Sequence, residues 1–538
     1  MTDIEIPLQA EKTKKYRFFE ILPGLLSWSL LLFPFILSYF SVTLAVVFIL
    51  GYLLLWFVRS IGIDIRAFQG YKIMKLHKSL DWKSMLIELQ SGLVPEGLER
   101  PKWHYSNIER LAKYPEASRP DDLYQVALVA IYNESRDVLE PTIKSILKSN
   151  YDSKKIILVI AYEQRGGPRT EQVSNELIKE YGDKFYHAMA VKHPVNMPNE
   201  IIGKGGNITY AAKELKKFLE KKKIDPIKVT VTTLDADNRP DENYFAALAY
   251  TYVCCIDPTH ISFQPIPMYT NNIWDVPAPM RVIATGNSFW NVVLSLRTHM
   301  LRNFSSHAQS MKSLIDTDYW STRTIVEDGH QFWRTYFRYD GNHKVYPIYT
   351  PIYQDAVLSD TYVKTLKAQF IQLRRWTYGA SDVSYFAQKA FFTKNKIPKF
   401  DTIFKFLRLL EGHVTWAVAP ILLAFSAFIP VLFHPQNYAA NELPLLVSRI
   451  QTLALAGIIA TLFISFKTLP PKPSYYKAHR NIFMILQWVY LPVTTIVYSS
   501  LSAFYSQTRL MFGLYYDKFD TTDKAVVVKS EKGIKRES

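Results

Sequence analysis

Residues 228–240 read Lys-Val-Thr-Val-Thr-Thr-Leu-Asp-Ala-Asp-Asn-Arg-Pro, and this stretch decides the fold. A β-branched, apolar run ends abruptly in two carboxylates, Asp235 and Asp237, one residue apart. It reads as a buried strand that carries a pair of acids to its C-terminal edge. In open α/β sheets ligands bind outside the carboxyl ends of the strands. Two hard oxygen ligands there suit a divalent cation that holds a substrate's phosphates. A plain turn is the competing reading, because Asp, Asn and Pro are ordinary turn formers.

Outward from this stretch, residues 124–240 alternate strand and helix patterns. Apolar runs at 125–131, 155–161 and 228–234 are strand candidates, and helical patterns lie near 137–148, 171–181 and 207–220. Strands alternating with helices imply a mostly parallel sheet covered on both faces. The fold class expected is therefore α/β.

The chain is 538 residues long, too many for one ordinary domain. Its apolar residues crowd into 21–58 and 403–513, and the middle is charged like a water-facing protein. Residues 21–58 carry no charge. One helix needs about 20 residues to cross the hydrocarbon core, so this run predicts two helices, with the turn at Ser38-Tyr39-Phe40-Ser41. Basic residues on both flanks (Lys12, Lys14, Lys15 and Arg17 before; Arg59, Arg66, Lys72 and Lys75 after) place both ends inside.

Residues 403–410 mix basic and apolar types as an interfacial helix does. Spans are expected at about 413–433 and 446–466. A basic, proline-rich inside loop follows at 467–480, then an apolar stretch at 481–506 broken by Pro492. Whether 481–516 crosses once or twice is left open by the sequence. The net charge of +16 is assigned to Lys and Arg flanking the spans. No nucleic-acid recognition motif is present, so no nucleic-acid partner is expected. The two cysteines, Cys254 and Cys255, are adjacent and offer neither a disulfide framework nor a zinc pattern.

Several polar groups accompany the acid pair. The first strand ends in Tyr132-Asn133-Glu134 and the second in Tyr162-Glu163. Gly203-Lys204-Gly205-Gly206-Asn207 precedes a helix, and a lysine there can meet phosphate charge; a glycine turn is the bland alternative. Glu327-Asp328 follows a short β-branched run. A carboxylate there can take a proton from an acceptor hydroxyl, or it can simply cap the helix that follows. Gln372, Arg375 and Trp376 share one helix face at their spacing. A ring can stack on a sugar while Gln and Arg bond its hydroxyls or a diphosphate; a membrane-surface helix is the alternative.

An Asn-Glu after the first strand, a Gly-Lys-Gly-x-Asn, Asp-Ala-Asp, Glu-Asp and Gln-x-x-Arg-Trp occur in that order between membrane segments. Together they resemble the family-2 membrane glycosyltransferases, most closely the processive branch of cellulose synthase and hyaluronan synthase. The resemblance covers about residues 122–380, plus the membrane layout. It implies a GT-A-like, nucleotide-sugar-binding domain inserted between transmembrane helices.

The implied organisation is a cytoplasmic N-terminal segment (1–20), a transmembrane hairpin (21–58), a connector (59–121) and a cytoplasmic glycosyltransferase domain (122–400). An interfacial helix with the C-terminal transmembrane helices (401–516) and a basic tail (517–538) follow. The implied setting is a multi-pass protein of a plasma or inner membrane.

The resemblance also assigns roles. Asn133 and Glu134 lie in the nucleotide pocket. Glu163 contacts the base, although relatives usually carry an aspartate there. Lys204 approaches the diphosphate. Asp235 and Asp237 hold a UDP- or GDP-sugar through Mg²⁺ or Mn²⁺, with Asp237 the surer ligand. Asp328 is the general base of an inverting hexosyl transfer. Gln372, Arg375 and Trp376 bind the acceptor end and the diphosphate.

The implied activity is transfer of sugars to the growing end of a polysaccharide, coupled to export. The alternatives are single transfer to a lipid acceptor, and a transporter or scaffold with a degenerate nucleotide fold. The chain departs from the family pattern at Val326 and at Gly329-His330, which flank the acidic pair, and across 284–312. In the latter segment Thr285-Gly286-Asn287-Ser288 and His307 are candidates to line an unusual acceptor pocket.

Overall fold

The computed structural model describes residues 4–114, 116–454, 456–474, 476, 480–516, 526–530 and 533–537. They form two compact units. The first comprises residues up to Leu8, Lys72–Tyr269 and Leu294–Asp355, and the second comprises Gln9–Tyr71, Thr270–Val293 and the chain from Ala356 onward.

The first unit is built on one eight-stranded sheet. Its strands are β1 (Tyr124–Ile131), β2 (Ile156–Glu163), β3 (His187–His193), β4 (Val229–Asp235), β5 (Arg239–Pro240), β6 (Ile261–Tyr269), β7 (Ala308–Ser310) and β8 (Lys344–Gln354). Their spatial order is β3-β2-β1-β4-β7-β6-β8-β5. β3, β2, β1 and β4 pair in parallel, as do β6 and β8. β7 runs antiparallel to both β4 and β6, so those two point the same way; β5 runs against β8. The sheet is therefore mixed and mostly parallel, with only the two shortest strands reversed.

Every residue of β2 is buried, and β1 is buried from Gln125 onward. A strand covered on both faces reads as a continuous apolar run rather than an alternation, which is the pattern of these sequences. On one face Val126, Leu128, Ile157, Val159, Val229 and Val231 pack under the helix Lys204–Lys222, which contributes Ile208, Ala211, Ala212, Leu215 and Leu219. Each fully buried Val, Leu or Ile side chain contributes about 1.5–3 kcal/mol relative to exposure, so this layer is a substantial part of the fold's stability.

The chain steps from β1 to β2 and β3 on one side, then crosses back to place β4 on the other side of β1. The crevice outside the carboxyl ends of β1 and β4 is thus a topological switch point, where ligands bind in such sheets.

The second unit is helical. Lys14–Phe40 and Val42–Ser79 meet at Ser41, within the expected turn, and Phe33 and Phe48 face each other across it at 5.1 Å. Both helices run past the apolar stretch that marked them in the sequence. Among the described residues, four helical segments are long and apolar enough to cross a membrane: Lys14–Phe40, Val42–Ser79, Lys399–Phe433 and Asn481–Met511. The chain has the makeup of a multi-pass membrane protein, with apolar helices on both sides of the sheet domain in sequence.

The expected interfacial segment 403–410 is not a separate element but part of the long segment Lys399–Phe433. The span expected at 446–466 falls on Tyr438–Ala454 and Ala456–Thr468, which flank residue 455, outside the described residues. Neither helix alone is long enough to be counted among the four. The basic loop 467–480 includes residues 475 and 477–479, also outside the described residues. After Pro492 the last apolar segment passes through a wider π-type turn at Thr495–Ser500 rather than reversing, and it continues to Met511.

Candidate active site

The strand register sets the depth of each polar group. Ala130 of β1 lies level with Asp235, and Ile131 with Tyr162. Asn133 and Glu134, just past β1, therefore emerge beside the acids that end β4. Asn133 is exposed. The Glu134 carboxylate folds back and accepts the Tyr132 backbone N–H at 2.7 Å, shaping the turn.

Asp235 and Asp237 are oriented by neighbouring donors. The Ser305 hydroxyl donates to Asp235 Oδ2 at 2.7 Å. The Asp355 N–H donates to Asp237 Oδ2 at 3.1 Å. Asn238, fully buried, fits its surroundings with its amide nitrogen donating to Asp237 Oδ1 (3.2 Å) and its oxygen accepting from the Asp235 N–H (3.1 Å). The Asn238 N–H also closes a turn on the Asp235 carbonyl at 3.0 Å. The turn reading and the ligand reading are thus compatible: the turn aims the acids.

Lys204 opens the helix Lys204–Lys222, and its ammonium lies 2.9 Å from Asp235 Oδ1, 3.4 Å from Asp328 Oδ2 and 3.8 Å from Glu327 Oε1. Its side chain is only 8% exposed. Burial works against that charge, but Asp235, Asp328 and Glu327 outweigh it and hold the ammonium well above the ordinary lysine range. Three carboxylates against one ammonium leave a formal excess of two negative charges (3 − 1 = 2), and Asp237 adds a third at the same sheet edge. That excess favours a cation.

Among the described residues no group of three or more His, Cys, Asp or Glu side chains is arranged to hold a metal alone. A pair of carboxylates completed by substrate phosphates is the usual arrangement for Mg²⁺, so Asp235 and Asp237 fit such an ion.

Glu327 and Asp328 occupy the first turn of the helix Glu327–Arg338, where the helix dipole favours negative charge. Val326 is the capping residue, so neither acid serves as the helix cap. Asp328 Oδ1 lies 3.6 Å from His307 Nδ1. His307, a candidate for the acceptor pocket, is fully buried. Its Nε2 accepts the Trp320 indole N–H at 3.0 Å, so its own proton sits on Nδ1, 2.9 Å from the Phe304 carbonyl. Burial lowers its pKa, which keeps the ring neutral behind Asp328.

Two sequence motifs also do structural work here. A Cβ on Gly205 would lie 2.2 Å from the Ser321 carbonyl oxygen, so only glycine lets these segments meet. Asn207 donates to the carbonyls of Ala161 (2.9 Å) and Ile131 (3.3 Å), tying the ends of β1 and β2 together. Glu163 is buried at the end of β2, paired with Arg165 and 3.7 Å from His193 Nδ1. Burial opposes the His193 charge, but Glu163 and Glu200 prevail and raise its pKa to about 9. The acid expected to read a base is therefore engaged within the fold.

The structure brings Lys204, Asp235, Glu327 and Asp328 together, with Asp237 beside them. Ser305, Asn238 and Asp355 were not singled out by sequence as site residues; only Asn238 carried a signal, as the direct neighbour of Asp237. Gln372, Arg375 and Trp376 belong to the second unit. They lie half-buried on the helix Tyr362–Thr377, which Thr361 caps by accepting the Lys364 N–H at 3.2 Å. The Ser506 hydroxyl donates to the Arg374 carbonyl at 2.6 Å, fixing this helix to the last apolar helix.

No protein-family model and no curated protein sequence matches the chain. Among solved structures, the chain is similar to the mannosyltransferase PcManGT from Pyrobaculum calidifontis in complex with GDP-Man and Mn²⁺ (15% identity, TM-score 0.39, covering 80% of this chain and 99% of that one). It is also similar to S. aureus TarS 1–349 in complex with UDP-GlcNAc (13%, TM-score 0.33, 77% and 99%). A third is GalNAc-T7 with UDP, GalNAc and Mn²⁺ (11%, TM-score 0.32, 60% and 70%). At such scores these likenesses carry no weight for function, which rests on the chain's own residues.

Proposed function

We propose that the protein is a membrane-embedded, metal-dependent, inverting glycosyltransferase that moves a hexose from a UDP- or GDP-sugar to the growing end of a polysaccharide. The observation that carries this reading is the bridge made by Lys204 between Asp235, at the end of β4, and Asp328, at the start of a helix far along the chain. One end of the bridge suits a donor's diphosphate and the other a nearby acceptor hydroxyl.

Asn133, Glu134 and Glu163 belong to the nucleotide side. Asp235 and Asp237 hold the Mg²⁺ or Mn²⁺, which neutralises diphosphate charge when bound. The diphosphate competes with Asp328 for Lys204, and so frees the carboxylate. Asp328 then takes the proton of the acceptor hydroxyl. The hydroxyl oxygen bonds to the anomeric carbon as the carbon–oxygen bond to the diphosphate breaks, and the electron pair leaves on the diphosphate. A single base without a second nucleophile gives inversion. Preorganised charge at such a site is the largest ordinary source of rate. Gln372, Arg375 and Trp376 serve the acceptor end and the diphosphate, an assignment made from sequence. The catalytic domain faces the cytoplasm and the acceptor is a carbohydrate or a lipid.

Transfer of one sugar to a lipid acceptor is the second reading. Four membrane-length helical segments among the described residues are compatible with it, as they are with the first reading. Membranes containing the protein, incubated with a panel of UDP- and GDP-sugars, test both readings. Metal-dependent nucleotide release supports the transferase. A product ladder marks polymerisation, and one glycolipid band marks single transfer. No release with any donor overturns the transferase.

A further inference from the structure

Ahead of the first apolar helix, residues Ile4–Ile6 lie within the sheet-bearing unit, and the catalytic scheme leaves them unused. Ile4 is buried, and Glu5 Oε2 lies 2.9 Å from Arg334 Nη1. Arg334 is itself 1% exposed and stands on the helix that begins with Glu327 and Asp328. It also donates to the carbonyls of Ile4 (3.2 Å) and Thr317 (2.8 Å). The other Glu5 oxygen accepts the Ser321 hydroxyl and the Ile6 N–H (2.9 Å). Arg323 closes the arrangement by donating to the Ile6 carbonyl at 2.9 Å.

Glu5 therefore joins two segments that both bear on the reacting groups. One is the helix carrying Asp328. The other is Thr317–Arg323, which backs Lys204 in two ways. The Ser321 carbonyl rests on Gly205, next to Lys204. Trp320, one residue away, exchanges hydrogen bonds with Thr209 of the lysine's helix and holds His307 behind Asp328. A buried carboxylate with an arginine and a hydroxyl on different segments fixes their separation, because removing it strands the arginine in a dry site.

We propose that Ile4–Ile6 is a clamp and Glu5 a positioning residue, setting the distance between the Lys204 ammonium and the Asp328 carboxylate. Burial opposes the Glu5 charge, but Arg334 and Ser321 prevail and lower its pKa, consistent with a permanently charged clamp. The clamp rests on the transferase reading for its consequence in catalysis, but not for its existence.

The test compares wild type with Glu5→Gln and Ser321→Ala, the second serving where the first fails to accumulate. Hydrogen exchange of Thr317–Arg323 and Glu327–Arg338 is measured alongside kcat and the donor KM. A misplacement of the reacting groups from a distance costs up to about 100-fold. We expect faster exchange in both segments, kcat lowered about 10- to 100-fold and a donor KM within about threefold of wild type. Glu5→Asp is expected to restore part of kcat.

Faster exchange with an unchanged kcat in an active enzyme makes the contact structural only and overturns the positioning role. Unchanged exchange overturns the clamp itself. A wild type inactive with every donor, in which Glu5→Gln still loosens both segments, overturns the transferase reading and upholds the clamp.

Discussion

Lys204 Nζ lies 2.9 Å from Asp235 Oδ1, which joins the acid that ends β4 to the lysine that opens the helix preceding that strand. The same ammonium reaches Asp328 at 3.4 Å. One buried cation thus holds three acids that would otherwise repel one another, and its loss has consequences for both stability and activity.

Lys204→Met leaves Asp235, Glu327 and Asp328 without their cation. Breaking a buried ion pair on one side typically costs 3–5 kcal/mol, and the partial exposure of Asp235 moderates this to about 2–3 kcal/mol. A lowered Tm, measured in detergent or lipid, checks it. Because the folded pKa of Lys204 is raised, its contribution is fully present below the ordinary lysine value and is lost only as pH rises through the higher folded value.

Asp237→Asn keeps the shape of the side chain and its place beside Asp355 and Asn238. It is expected to fold normally and to lose activity about 10²–10³-fold, as when one preorganised electrostatic group is removed. Chelation is expected to silence the wild type, and Mn²⁺ or Mg²⁺ to restore it. Metal-titrated nucleotide release reads both effects.

Gly205→Ala forces a methyl group to within 2.2 Å of the Ser321 carbonyl oxygen. Overpacking of this kind costs about 1–3 kcal/mol. The segment also bears on Lys204, so Tm and kcat are expected to fall together. A neutral outcome would show that the backbone there yields freely.

His193 carries a pKa raised from 6.5 to about 9 by Glu163 and Glu200. A group whose folded pKa is raised contributes stability that is complete below pH 6.5 and lost as pH climbs through 9. One pKa unit is about 1.4 kcal/mol, so the loss over that window is of the order of 3 kcal/mol. Thermal unfolding across pH 6–9.5 is expected to show this decline, and His193→Gln to flatten it.

The doubly buried strands were legible in the sequence because burial on both faces demands unbroken apolar runs; β1, β2 and β4 stand within two residues of where 125–131, 155–161 and 228–234 place them. β3 is half exposed along much of its length, while β5 and β7 span only two and three residues, so no periodicity marks them. The acid pair was visible because a strand that stops at Asp-Ala-Asp changes character within one residue.

Its partners were harder to see. Ser305 and the Asp355 N–H reach the acids through pairing of distant segments, and a hydroxyl or a backbone donor leaves no compositional trace. Glu5 and Arg334 meet across more than 300 residues, as only the folded chain can show. In the helical unit the apolar runs located the hairpin, but helices continue past their membrane-suited stretch into charged turns, so their ends were not readable from hydropathy.

The most direct test of the account is Asp328→Asn, made in the full-length protein in membranes and assayed for sugar transfer beside nucleotide binding. The carboxylamide keeps the side chain's shape but cannot take the acceptor's proton. Loss of a general base costs about 10²–10⁴-fold, so transfer should fall by that factor while nucleotide binding and Tm stay near wild type. Transfer at the wild-type rate would contradict the assignment of Asp328 and, with it, the site built around Lys204.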